Sequence, residues 1–158
     1  MPPLLGSERH MEKSLELKPI SKRNFGRYGV ILEHVNLLEG YEPLIKVESK
    51  GWIWAILTFK NRSIKRLERH PTSKESFEPV SGTSVIALAP PGAPDSVELF
   101  LLDRAVVLNE GVWHEVMSLS DVSTVKITEN NDVTDEYRDL GYSLITALVC
   151  RRKDPGPR

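Results

Sequence analysis

The chain has 158 residues, 40% hydrophobic and 27% charged, with a formal net charge of −1. That length suits one domain with a substantial core, and the near-neutral charge gives no electrostatic footprint for nucleic acid, which usually needs a clustered basic face. The single cysteine, Cys150, excludes an intramolecular disulfide and a multi-cysteine metal site.

Residues Met1 to Ser14 are polar with prolines and no period, so 1–14 reads as a disordered arm carrying an exposed His10. The N-terminus lacks the basic-then-apolar pattern of a secretion signal, and no apolar run reaches the ~18 residues of a membrane span. These features read as a soluble, cytoplasmic protein. Leu15 to Ile20 alternates as a half-buried strand. Ser21 then caps one helical turn, Lys22 to Phe25, which Gly26 ends. Tyr28 to Glu33 reads as a strand closed by His34, and Asn36 to Pro43 as a loop.

Two strands are expected at Leu44 to Glu48 and Trp52 to Lys60, joined through Ser49-Lys50-Gly51 as a hairpin. Both faces of the second are apolar, so it reads as buried on both sides, by a dimer interface or by a flanking sheet. Ser63 to His70 follows, with Ile64, Arg66, Glu68 and His70 on one face. The basic residues Lys60, Arg62, Lys65, Arg66 and Arg69 read as a solvated outer face. Residues 71–82 read as a proline-punctuated turn. Strands are then expected at Ser84 to Ala89, Val97 to Leu102, Ala105 to Leu108, Val112 to Leu119 and Val122 to Thr128. Val133 to Leu140 reads as a short helix ended by Gly141, Leu144 to Val149 as a final strand, and 151–158 as a disordered tail. Many short strands punctuated by Gly and Pro, with almost no helix, predict an all-β sandwich or barrel spanning 15–150.

Two segments carry chemistry. Glu68 and His70, two apart on a strand, point the same way, and a chain that doubles back brings Glu75 towards them. His114 lies on a later strand, just after Gly111. Imidazole and carboxylate ligands converging on one point suit a hard or borderline divalent metal. The plainer readings are a Glu68 paired with Arg66 or Arg69, a turn histidine at His70 and a solvated Glu75.

The run Glu68-x-His70-x4-Glu75-x6-Gly82 has the spacing of the first cupin motif, with Glu68 where a histidine ligand usually stands and Arg62 in place of the motif's opening glycine. Gly111-x2-His114 matches the end of the second motif. More closely, Glu68-Arg69-His70-Pro71 continuing to Gly82, Gly111-Val112-Trp113-His114 and Phe25-x2-Tyr28-Gly29 resemble the ureidoglycolate lyase (ureidoglycolate hydrolase) family, itself cupin-like. The resemblance covers about Ile20 to Asn131. It departs where Glu75 replaces a glutamine, Glu115 a second histidine, Val116 a proline and Glu129-Asn130 an Asp-Arg pair.

The resemblance implies a cupin-like double-stranded β-helix or β-barrel with one or two short helices, assembled as a homodimer. It implies a lyase that cleaves ureidoglycolate to glyoxylate and urea, using His70, His114 or Glu75 as the proton-transferring groups. The substrate's carboxylate calls for a cation, for which Arg66, Lys74 and Lys126 are candidates, with Glu115 a further substrate-facing candidate. A divalent metal (Mn, Zn, Ni or Fe) would be held by Glu68, His70, Glu75 and His114. The alternatives are a metal-dependent cupin enzyme for another small carboxylated or carbohydrate-like substrate, and a non-catalytic small-ligand barrel.

Overall fold

The computed structural model describes residues 11–36 and 39–146. The expected tail at 151–158, Cys150 and most of the expected N-terminal arm lie outside the described residues.

Two sheets face each other as a flattened β-barrel. The first has seven strands in the order β1 (Glu12–Leu15), β12 (Glu136–Thr146), β5 (Ile64–Arg69), β10 (Trp113–Ser118), β7 (Ser84–Ala89), β8 (Glu98–Leu102) and β2 (Leu17–Pro19). The second has five: β3 (Gly29–Ile31), β9 (Val106–Leu108), β6 (Glu75–Ser81), β11 (Ser123–Asn130) and β4 (Trp52–Phe59). One helical turn, α1 (Lys22–Phe25), is the only helix among the described residues. Between the sheets lies a core that includes Phe25, Tyr28, Phe77, Ile86, Phe100 and Val125. Phe25 and Phe100 meet edge to face, with centroids 6.0 Å apart. A second core, including Leu67, Ala87, Trp113, Met117 and Leu144, lies on the outer side of the seven-stranded sheet. Its cover is the second half of β12, which breaks register with β5 between Asp139 and Leu144 and pairs in parallel with β1.

Several elements differ from expectation, each for a pairing reason. Residues 75–81, read as turn, form β6, a central strand between β9 and β11. Pro79 cannot donate a ladder hydrogen bond, and its opposing strand shifts register beside it, between Thr124 and Val125. Of the expected helix at 133–140, residues 136–140 are instead the start of β12, because Arg69–Glu136 and Arg66–Asp139 ion pairs zip them onto β5, and 133–135 are irregular. Gly141 does not end this element; it takes φ +73° inside the strand. The expected strand at Leu44 to Glu48 is absent, and among the described residues β4 pairs with β11 alone. Residues Glu12 to Ser14, expected in the arm, belong to β1. β11 runs past the expected end at Thr128 to take in Glu129 and Asn130.

Two glycines are required by contacts. A Cβ on Gly29 would lie 1.9 Å from the Val107 carbonyl oxygen, so only glycine lets β3 approach β9. Gly82, between β6 and β7, has φ +73°, and a Cβ there would meet the Val122 carbonyl oxygen at 2.3 Å.

Candidate active site

The site is built from both sheets. Glu68 stands opposite His114 in the β5–β10 ladder, so their side chains share one face of the seven-stranded sheet. His70 follows directly after β5. Its carbonyl accepts the Gly111 N–H at 2.8 Å, tying the Glu-Arg-His-Pro segment to the start of β10. From the five-stranded sheet, Glu75 and Glu129 stand opposite each other in the β6–β11 ladder. Strand alternation sends them inward with Phe77 and Ile127, which belong to the core between the sheets.

The groups converge tightly. Glu75 Oε2 lies 2.8 Å from His114 Nε2 and 3.1 Å from His70 Nε2. Glu129 Oε2 is 3.8 Å from His70 Nε2, and Asp135 Oδ1 is 3.1 Å from His70 Nδ1. The two imidazole centroids are 5.2 Å apart, and Phe77 packs edge-on against His114 at 5.5 Å. His70, Glu75 and His114 are all buried.

Electrostatics follow from this packing. Burial pushes the Glu75 carboxyl up, but His114 and His70 outweigh it and hold it at about 2. Burial lowers His70, yet Glu75, Glu68 and Glu129 raise it to about 9. His114 is also raised: Glu75 overcomes its burial. Burial raises Glu129, and the neighbouring Glu75 charge adds to that.

His114 Nδ1 lies 2.9 Å from the Val112 carbonyl oxygen. A carbonyl only accepts, so Nδ1 carries the hydrogen and Nε2 is the atom presented to Glu75. The contacts to Glu75 Oε2 are close but out of hydrogen-bond alignment, and both this oxygen and His70 Nδ1 are buried without a hydrogen-bond partner. Glu68, His70 and His114 can bring one ligand atom each within 4.8 Å of one another, as can His70, Glu75 and Glu129. Orphaned buried polar atoms, a fixed imidazole tautomer and a mixed nitrogen–oxygen donor set fit a divalent cation.

The expected core of the site, Glu68, His70, Glu75 and His114, is therefore brought together. The expected substrate-binding residues are not. Arg66 pairs with Asp139 at 2.9 Å and stacks on Tyr137. Lys74, one residue from inward-facing Glu75, pairs with Glu110 at 3.2 Å. Lys126 alternates outward from Ile127 and pairs with Glu78 at 2.9 Å. Glu115 alternates outward from His114, to a surface with Asn61, Ser63 and Lys65, and among the described residues accepts the adjacent Val116 N–H alone. Burial raises its carboxyl. Period-two alternation would have excluded Lys126 once Glu129 was placed inward. Glu129 and Asp135 went unassigned because their approach depends on strand pairing.

Two sheets closing on an imidazole–carboxylate cluster define a cupin-like β-barrel protein. A family model described as ureidoglycolate lyase matches residues 12–141, and the chain belongs to that family. It is 25% identical over 155 residues to a ureidoglycolate lyase of Rhizobium leguminosarum bv. trifolii, covering 84% of this chain and 93% of that one. It is 30% identical over 131 residues to a ureidoglycolate lyase of Azotobacter vinelandii, covering 68% and 79%. Among solved structures, a Bacillus subtilis oxalate decarboxylase variant aligns with TM-score 0.42 and 18% identity over 56% of this chain. Tomato vicilin aligns with TM-score 0.44 and 17% identity, also over 56%. The aligned part spans 24% and 26% of those longer chains, respectively.

Proposed function

We propose that this chain is a lyase that cleaves ureidoglycolate to glyoxylate and urea at the His70–Glu75–His114 cluster. The observation that carries the reading is the convergence of both imidazoles on one carboxylate oxygen, built from the same two segments by which the chain resembles its family. The reaction breaks the C–N bond of a carbinol amide. The hydroxyl gives up its proton as its oxygen becomes the aldehyde carbonyl, and the departing urea nitrogen gains one. One group must accept and one must donate, and two imidazoles sharing a carboxylate can divide those tasks. Glu75 holds their charge balance, and Phe77 walls one of them.

The substrate's carboxylate meets an acidic setting of Glu68, Glu75, Glu129 and Asp135, while Arg66, Arg69, Lys74 and Lys126 are all paired elsewhere. In the metal-dependent form of this reading, a divalent cation held by Glu68, His70, Glu75 and His114 would supply the missing positive charge and polarise the substrate oxygens, and imidazole nitrogens engaged as ligands would then leave proton transfer to other groups. The donor set suits Mn, Zn, Ni or Fe. The test is direct: purified protein, with and without each metal, is incubated with ureidoglycolate. Glyoxylate release above the spontaneous rate is expected, and its absence under every condition refutes the reading.

The carboxylate-rich centre favours one alternative, a metal-dependent enzyme for another small carboxylated or carbohydrate-like substrate. That reading predicts retained metal without ureidoglycolate turnover. We further infer a homodimer in which a second copy covers the β4 face. Trp52, Trp54 and Ile56 are 64%, 72% and 64% exposed on an eight-residue strand without a charge, beside a groove of about 300 Å³. Among the described residues β4 also leaves one backbone edge unpaired, which a second strand would satisfy.

A further inference from the structure

We propose that Asp135 is a positioning residue for His70, holding the imidazole by its Nδ1 edge so that Nε2 stays aimed at Glu75. Its effect on turnover rests on the lyase reading above; its effect on the ring does not.

The placement comes from strand pairing. β12 is registered on β5 through Glu136 opposite Arg69 and Tyr137 opposite Glu68. One further step along each strand brings Asp135 beside His70. The Arg69–Glu136 ion pair, at 2.5 Å, pins that register next to the contact. Asp135 Oδ1 then lies 3.1 Å from His70 Nδ1. The approach is bent rather than in line. At that distance a carboxylate still selects, by charge, which edge of the ring faces it.

His114 shows the same device in its direct form. Its Nδ1 is held by the Val112 carbonyl, and its Nε2 meets Glu75 Oε2. His70 meets the same oxygen through Nε2 and has Asp135 at its other nitrogen. Each imidazole is thus gripped from outside the cluster and presents Nε2 to its centre. Without Asp135, the carboxylates nearest the ring are Glu75 and Glu129, both at the Nε2 edge. Among the described residues Nδ1 has no other charged or hydrogen-bonding partner to oppose a ring flip that turns carbon towards Glu75. Orienting partners of this kind change site affinity or activity by about 10–100-fold when removed. Asp135 is also a clean handle, because its side chain is 42% exposed while that of His70 is 6% exposed.

The experiment uses the full chain, ¹⁵N-labelled, as wild type, Asp135→Asn and Asp135→Ala. Long-range ¹H–¹⁵N spectra read the His70 ring, assigned with His70→Gln. One pattern of Nδ1 and Nε2 signals, from a ring held with Nε2 towards Glu75, is expected in wild type and Asp135→Asn, and a second pattern, from the flipped ring, is expected to join it in Asp135→Ala. With ureidoglycolate, kcat is expected to fall about 10–100-fold in Asp135→Ala, with KM little changed and most of the loss recovered in Asp135→Asn. Identical His70 ring signals in all three proteins overturn the assignment. So does an equal loss of kcat in both variants that tracks a lowered melting temperature. If wild type releases no glyoxylate, the lyase reading fails, and the ring signals alone decide the role of Asp135.

Discussion

At the scale of single residues, one oxygen organises the site. Glu75 Oε2 is the atom that both imidazoles approach, and the pull is mutual: the carboxyl is held at about 2 and His70 at about 9. Glu75→Gln keeps the shape and removes the charge. The variant, which restores the family's glutamine, is expected to keep glyoxylate release while its pH–rate profile moves to lower pH, because the histidines lose the charge that raises them. The change from glutamine in the family pattern to Glu75 is therefore a change in what the two histidines are. Two carboxylate-facing imidazoles are stronger bases than two amide-facing ones. The second departure, Glu115, does not enter the site, because it stands on the opposite face of β10 from His114. Glu115→Gln is expected to leave turnover within about twofold and the pH–rate profile in place, and a steady-state measurement across pH beside Glu75→Gln checks the contrast.

At the scale of elements, β6 and β12 decide the site. β6 delivers Glu75, and β12 delivers Asp135 to the neighbourhood of β5. The turn after β6 depends on Gly82, whose positive φ and contact with the Val122 carbonyl leave no room for a side chain. Gly82→Ala is expected to destabilise the fold by about 1–3 kcal/mol, read as a lower denaturant midpoint with unchanged slope. β4 has the opposite character, with Trp54 and Ile56 presented outward from the edge of the five-stranded sheet. Trp54→Lys combined with Ile56→Lys is expected to turn a dimer into a monomer by light scattering, with turnover measured in parallel. A monomeric wild type at micromolar concentration would remove the proposed interface.

At the scale of the whole molecule, stability carries the signature of the buried pair. Glu75 falls from 4.5 to about 2 on folding, so its contribution is complete above 4.5 and is lost as pH falls through about 2. His70 rises from 6.5 to about 9, so its contribution is complete below 6.5 and is lost as pH rises through about 9. Chemical denaturation across pH should therefore show a Glu75–His70 contribution that is greatest between about 4.5 and 6.5. Glu115 and Glu129, raised by burial, act in the opposite sense. The difference between wild type and Glu75→Gln isolates the pair, and a pH-independent difference would contradict it. A divalent metal that binds only the folded chain should raise the melting temperature in proportion to the logarithm of its concentration. His114→Ala should abolish that shift.

The sequence by itself determined the strand-rich architecture and the short helical turn after Ser21, and it singled out Glu68, His70, Glu75 and His114 as candidates for one polar site. Each of these is written locally, in period-two alternation, in Gly and Pro punctuation and in fixed spacings within two short segments. The tertiary structure decided the rest, because it depends on which strand lies beside which. Whether Arg66, Lys74, Lys126 and Glu115 face the site was settled by partners distant in sequence: Asp139, Glu110 and Glu78 for the cations, and the β5–β10 register for Glu115. That 136–140 extends rather than coils was settled by ion pairs to β5, and the same pairing brings Asp135 to His70. Local patterns report the propensity and the face of a strand, whereas convergence on one buried oxygen arises only when two sheets close on each other.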